Sequence, residues 1–322
     1  MQNSTEIIFK NQYKDKNLLI TLIVAFSFIL LMPIIGVQHT IDYMIFCIYV
    51  LGYNILYGFL GRLSFGHMLY FGVGAYAGGL FARYMIPNPL LAMLVSLSAG
   101  ALIGLILGPI IIRTTGACFA LVNLAFNKVG FFLVAVAFDK YTGGEDGFPV
   151  RYIKLDFLNF YNKYVTFFFV FICLLMVFYI LKLLTGSSFG LLIKSIKENE
   201  RRVKFLGYNT YNYKLIVFII STTITALAGF LTTINYGYVT TGFIDPNRNV
   251  EVIFAVLIGG ADSLYGALLG GVIYMGITNY LAIYIARWEM FLGIILLILA
   301  LKFKKGIWGY LEIVKDKSIK RG

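Results

Sequence analysis

Long apolar runs joined by short polar segments dominate the chain. Runs able to cross about 30 Å of hydrocarbon as helix occupy roughly 18–36, 41–60, 66–84, 89–112, 116–138, 164–184 and 212–236. Three further apolar pieces lie near 250–265, 267–286 and 288–303, broken by Gly259-Gly260-Ala261-Asp262 and by Arg287-Trp288-Glu289. The pattern predicts about ten spans, or eight plus a re-entrant element if the last three pieces thread differently. The runs are continuous rather than alternating, which predicts helices and excludes a β-barrel. The expectation is an all-α, polytopic transmembrane helix bundle forming a single domain over 1–322. Lys14 and Lys16 precede the first run as they would in a signal peptide. That run is longer than a usual signal core and lacks a small-x-small cleavage motif, so it reads as a retained first span.

Two longer polar segments interrupt the pattern. Residues 139–163 form one loop and contain Thr142-Gly143-Gly144-Glu145-Asp146-Gly147. In 185–211, Phe189, Leu192, Ile196, Val203 and Leu206 recur at near-helical spacing, with Lys194, Lys197, Glu198, Arg201 and Arg202 elsewhere, which predicts an amphipathic helix. Ser187 or Ser188 is placed to cap its start and Gly207 its end.

Composition sharpens this picture. The chain is 60% hydrophobic and 13% charged, with a mean hydropathy of +0.84, against about 25% charged residues in a soluble domain. The net charge of +12 raises the possibility of a nucleic-acid partner, but its distribution argues against one. With the N-terminus inside, most Lys and Arg fall in cytoplasmic segments, including Arg62, Arg113 and the cluster at 194–204, as the positive-inside rule requires. Loop 139–163 is then external and 185–211 cytoplasmic, with both termini cytoplasmic. Cys47, Cys118 and Cys173 are far apart in apolar runs and read as packing residues.

No catalytic constellation is visible. Nothing matches the phosphate-binding G-x-x-x-x-G-K-[ST] loop, and no His, Cys or carboxylate cluster has metal-ligand spacing, so the expectation is a non-enzymatic chain with no metal or cofactor. Glycine, with 33 copies, carries more information. Ser96, Gly100, Gly104 and Gly108 recur every fourth residue, as do the pairs Gly74/Gly78 and Gly266/Gly270, a spacing that lets helices pack closely in lipid. Gly116, Ala120, Asn123 and Asn127 form a small and polar stripe in the span 116–138. Lys128 follows at mid-span, where a lysine costs about 2.5–3.5 kcal/mol and must face a cavity, a partner or an acidic neighbour. The stripe is either a wall of a solute path or an interhelical hydrogen-bond cluster. Arg62 and His67, in the joint between two spans, read as an inside charge and a bonded turn residue, or as part of the path. The amphipathic segment suits either anionic lipid or a cytoplasmic partner.

Several motifs are similar to those of a known family. The stretch Gly61-x-Leu63-Ser64-x-Gly66-His67-x-x-x-Phe71-Gly72-x-Gly74-Ala75-Tyr76 resembles a signature of the branched-chain amino-acid ABC permease family, specifically its M-type subunit. Thr115-Gly116-x-x-Phe119-Ala120-Leu121-Val122-Asn123, then Thr142-Gly143-Gly144-x-Asp146-Gly147, then Gly190-x-x-x-Lys194-x-Ile196-x-Glu198-Asn199-Glu200 ending in Leu206-Gly207, follow in the family's order. The match continues through Leu257-Ile258-Gly259-Gly260 to Gly266 and Gly270. It implies a multi-pass permease of the bacterial inner membrane that pairs with a second permease subunit, two cytoplasmic ATPases that bind the ATP, and an extracytoplasmic solute-binding protein. By position, Lys194, Ile196, Glu198, Asn199, Leu206 and Gly207 would form the segment that couples to an ATPase. Ser64, His67, Thr115, Gly116, Phe119, Asn123, Asn127, Lys128, Thr142, Gly143 and Gly144 would line the solute path and its external mouth. The family often has Thr at Asn123 and an acidic residue near Lys128. Branched-chain amino acids are the expected cargo, urea or short-chain amides the alternative. An ion-coupled secondary transporter, the competitor from another class, needs mid-span carboxylates, whereas most acids here fall at loops or span ends.

Overall fold

The computed structural model describes residues 28–153 (except 31 and 34), 159–284, 290, 293–294 and 306–310. Most of the expected first span, 18–36, and of the last apolar piece, 288–303, lies outside the described residues. Within them the chain is a bundle of helices: α1 Val37–Asn54, α2 His67–Tyr84, α3 Pro89–Ile111, α4 Ala117–Phe132, a single turn α5 Asp139–Thr142, α6 Lys163–Thr185, α7 Ser188–Phe205, α8 Thr210–Tyr236, α9 Asn249–Gly259 and α10 Leu264–Tyr284. Wide i→i+5 turns extend α1 through Ile55–Phe59 and α4 through Leu133–Ala137. Five of these helices are long and apolar enough to cross a membrane: α1 and α4 with their extensions, α3, α6 and α8.

Asparagine starts three of the crossings. The side chains of Asn88, Asn162 and Asn209 accept hydrogen bonds from the first free N–H groups of α3, α6 and α8, supplying acceptors that the helix itself cannot provide there. α8 is the central helix, packed on by α1, α2 and α3. Its partner α3 buries Ala92, Ser96, Gly100, Gly104, Gly108 and Ile111 and little else, so the four-residue small stripe is its contact face. Side chains at Gly100 and Gly104 would strike Ala226 and Thr222 of α8, and at Gly108 Leu215. α2 approaches α8 as closely: a side chain at Gly74 would overlap the Ala226 carbonyl, and one at Gly78 would meet Ser96 and Phe230. Because lipid gives no hydrophobic drive for association, such close approach must hold the bundle.

The crossing after α8 is interrupted. α8 ends at Gly237, and the chain then runs back beside α2 with only two short 3-10 turns, Thr241–Phe243 and Pro246–Arg248. Val239 lies against Gly79, and Ile244 against Gly72, where an added Cβ would sit 2.6 Å from its side chain; Asn249 meets the start of α2 at the Met68 amide. Only there does α9 begin, and it ends at the Gly260–Ser263 turn beside Gly58. The apolar piece expected at 250–265 is thus an 11-residue helix, about 16 Å at 1.5 Å per residue, half of a hydrocarbon core. α10 returns antiparallel to it, with Gly266 and Gly270 seated against the backbone of Gly259, Gly260 and Ala255.

At the end of the bundle remote from α7, a two-residue ladder pairs Phe148 with Val239 and Pro149 with Tyr238. The Thr142–Gly147 loop sets up this pairing. Thr142 donates to the Val134 and Phe138 carbonyls, and Gly147, at φ 71°, packs where any side chain would overlap the Val239 carbonyl.

Candidate functional site

Three polar assemblies stand out from the apolar bundle. The first anchors α7. This helix is broken at Asn199, whose φ of −156° and ψ of 90° are extended, and the Asn199 side chain restarts it by accepting from the Arg202 amide at 3.0 Å. The break puts Glu200 at the junction with the bundle. Its carboxylate accepts from Lys214 at 2.8 Å, Thr210 at 3.0 Å, Arg62 at 3.1 Å and Lys204 at 3.1 Å. Arg62 in turn donates to the Thr114 carbonyl, tying the joint before α2 to the joint before α4. Burial raises the Glu200 pKa. Hydrogen bonds from Lys214 and Lys204, the Lys214 charge and the Thr210 hydroxyl outweigh it and hold the carboxyl at about 2. One turn earlier, Lys197 bonds the Gly58 carbonyl at 2.7 Å and the Asp262 carboxylate at 2.6 Å. The segment is therefore fastened to α8 on one flank and to the α9–α10 turn on the other.

The expected apolar face of α7 forms in part. Ile193, Ile196 and Val203 are buried, whereas Leu206 is 70% and Phe205 91% exposed, because the break at Asn199 changes the register of the face. Lys194 lies over the Phe59 ring, and Glu198 is exposed. Ser187 occupies the capping position, but its hydroxyl bonds back to the Leu184 carbonyl. Gly207 ends the segment at φ 86°, a left-handed conformation that favours glycine.

The second assembly is a buried network between α1, α2, α4 and α8. Ser221 donates to the Gly52 carbonyl, so it accepts from His67 Nε2 at 2.9 Å; His67 Nδ1 then accepts from Ser64 Oγ at 2.9 Å. Tyr70 donates to Asn123, and Asn123 to the Phe119 carbonyl. Asn127 donates to the Ile244 carbonyl and accepts from Asn249 at 2.6 Å. Asn127 and Asn249 thereby satisfy the Ile244 and Pro246 carbonyls of the interrupted segment, and irregular backbone is tolerated at membrane depth only when enclosed in this way. Ser64, His67, Phe119, Asn123 and Asn127 are thus together and buried. Thr115, Gly116 and Lys128 are exposed, and Lys128 makes no ion pair among the described residues. Thr142, Gly143 and Gly144 lie in the loop at the far end.

The third assembly was not anticipated. A half-enclosed cavity of about 180 Å³ lies between α1, α2, α8 and the start of α9, and its walls carry Asp42, Arg248 and Glu251. Arg248 makes a two-point pair with Glu251, at 2.9 and 3.3 Å. None of the residues expected on a solute path lines this cavity. The signal was present in the sequence as an Arg-x-x-Glu pair abutting an apolar run and an Asp beside Ile41, since ionisable groups at membrane depth are functional by default.

Comparison with known proteins adds to this geometry. The sequence model of the family described as branched-chain amino acid transport system / permease component matches residues 36–301. The high-affinity branched-chain amino acid transport system permease protein LivM of Salmonella typhimurium is 27% identical over 261 residues, covering 71% of this chain and 60% of the relative. BraD of Pseudomonas aeruginosa, of the same description, is 22% identical over 295 residues, covering 84% and 93%. A probable branched-chain amino acid transport permease protein LivM of Methanocaldococcus jannaschii is 23% identical over 257 residues, covering 74% and 72%. The chain spans 60% of the length of the Salmonella relative and of the Escherichia coli LivM. No solved structure matches the chain.

Proposed function

This chain belongs to the branched-chain amino acid transport permease family, and on that premise we propose that it is one membrane-spanning subunit of an ATP-driven importer of branched-chain amino acids. Separate ATPases supply the energy, a second permease subunit completes the path, and an extracytoplasmic binding protein delivers the solute, at a bacterial inner membrane with α7 on the cytoplasmic side. The observation that carries the reading is the mounting of α7. Its buried side is fixed to two different parts of the bundle through Glu200 and Lys197, while its tip presents Phe205 and Leu206 to the outside. A rigidly mounted helix with an exposed apolar tip suits a partner that pushes on it, and its Lys and Arg suit the cytoplasmic face.

In this reading nucleotide-driven closure of the ATPases displaces α7. The displacement passes through Lys197–Asp262 to the α9–α10 turn and through Glu200–Lys214 to α8, rocking the two parts of the bundle that flank the cavity. Lys194, Ile196, Glu198, Asn199, Leu206 and Gly207 form the coupling surface or shape it. The test is reconstitution of the complete transporter in liposomes. Leu206→Asp is expected to abolish co-purification of the ATPases and ATP-driven leucine uptake while the permease remains folded in the membrane. Retained co-purification and uptake in that variant would show that α7 is not the docking segment, and competition by urea but not leucine would reassign the cargo.

A further inference from the structure

We propose that the cavity between α1 and α9 is a solute site within this subunit, which takes an α-amino acid as its zwitterion with a short apolar side chain. The proposal rests on the amino-acid import reading and deepens it. Three features of the walls point to such a ligand. The charges are of both signs and only partly committed. Asp42 accepts hydrogen bonds from Asn235, at 2.7 Å, and from the Tyr236 hydroxyl, two of the roughly four lone-pair sites of a carboxylate. Arg248 uses three of its five N–H groups, on Glu251 and the Gly242 carbonyl. An ammonium has an acceptor at Asp42, and a carboxylate has two donors at Arg248.

Tyr49 supplies the second feature. It is 2% exposed, it lines the cavity, and its hydroxyl has no hydrogen-bond partner among the described residues. Buried hydroxyls are seldom left unpaired, and this one belongs to a residue of the cavity wall. The third feature is an aromatic wall: Phe71 and Phe243 meet edge to face with centroids 6.2 Å apart, a surface for an apolar side chain. Opposed charges exclude a purely apolar solute, and the aromatic wall disfavours a fully polar one. The volume of about 180 Å³ holds about six waters at ~30 Å³ each, so the occupant is small. The interrupted crossing makes this site, because Arg248 and Glu251 reach it only where a half-helix begins inside the bundle.

The test is equilibrium binding of radiolabelled leucine to the purified transporter complex with the binding protein omitted. Wild-type complex is expected to bind leucine saturably. Phe243→Trp, which fills the cavity, should weaken binding at least tenfold, and Tyr49→Phe three- to tenfold. Leucinamide, which lacks the carboxylate, and N-acetylleucine, which lacks the ammonium, should fail to compete. Absence of saturable binding, unchanged affinity in both variants, or competition by both analogues overturns the site; the conservative Tyr49→Phe and the analogues decide it even if Phe243→Trp does not fold. Leucine uptake by the same wild-type complex with its binding protein is measured separately. Uptake with binding that ignores the cavity overturns this site alone, whereas no uptake overturns the import of leucine on which it rests.

Discussion

The Lys214 ammonium stands 2.8 Å from the Glu200 carboxylate and joins the amphipathic segment to the first turns of the central helix. Lys214 is 8% and Glu200 22% exposed, so the pair is sheltered from solvent screening but not sealed from it.

Glu200→Gln keeps the shape and removes the charge, leaving Lys214 and Arg62 without their anion. Breaking a fully buried pair costs about 3–5 kcal/mol. Discounted for the partial exposure here, about 2 kcal/mol of local stability is expected to be lost. Amide exchange over 188–208 should accelerate and ATP-driven uptake should fall, with the rest of the bundle unchanged.

The same carboxylate predicts a pH response. Its folded pKa of about 2 lies below the ordinary 4.5, so its contribution is fully present above 4.5 and is lost as pH falls from there through about 2. The protection of α7 amides, relative to their intrinsic exchange at each pH, is expected to fall across that window in the wild type and to stay flat in Glu200→Gln.

Lys197→Met removes the link to Asp262. The pair is exposed, with side-chain values of 34% and 77%, so stability should change by less than about 1 kcal/mol. The expected effect is on coupling: ATP hydrolysis continues while solute moved per ATP drops. An unchanged ratio would mean that force reaches the bundle by another route.

Gly229→Ala places a methyl group into the Phe71 carbonyl of α2. Backbone cannot rotate aside as a side chain can, so α2 and α8 must separate, at a cost of about 1–3 kcal/mol. The Tm in detergent should fall. Gly276→Ala, which meets nothing within 4 Å in α10, is the control and should leave Tm level or raise it through helix propensity.

Much of the fold was legible because lipid imposes simple rules. The spans of α1, α3, α4, α6 and α8, the helix within 185–211 and its stop at Gly207 all follow from continuous apolar runs and local punctuation. The small stripe at Ser96, Gly100, Gly104 and Gly108 announced a contact face, and the structure identifies its partner as α8. What could not be read depends on long-range pairing. Leu206 was assigned to the buried face of α7 because periodicity assumes an unbroken helix, and Asn199 breaks it. Lys128 was grouped with Asn123 and Asn127 as neighbours in sequence, yet one residue is 100° of helix and the bundle covers only the asparagines. The cavity was hidden for a related reason. Asp42 and Glu251 are more than 200 positions apart, and a helix that begins inside the bundle leaves no mark in a hydropathy pattern except a shortened apolar run.

The interrupted crossing also constrains how the protein is made. Eleven residues of α9 are about half the length that insertion machinery accepts as an independent span; Asp245 and Arg248 precede it and Glu251 lies in its first turn. α9 therefore has no means of entering the bilayer alone. Its close glycine seat on α10 offers the solution: the two helices partition as one hairpin, after the helices that shelter the unwound strand are already in place. A chain with so short a helix is expected to insert it together with α10, not as a separate span.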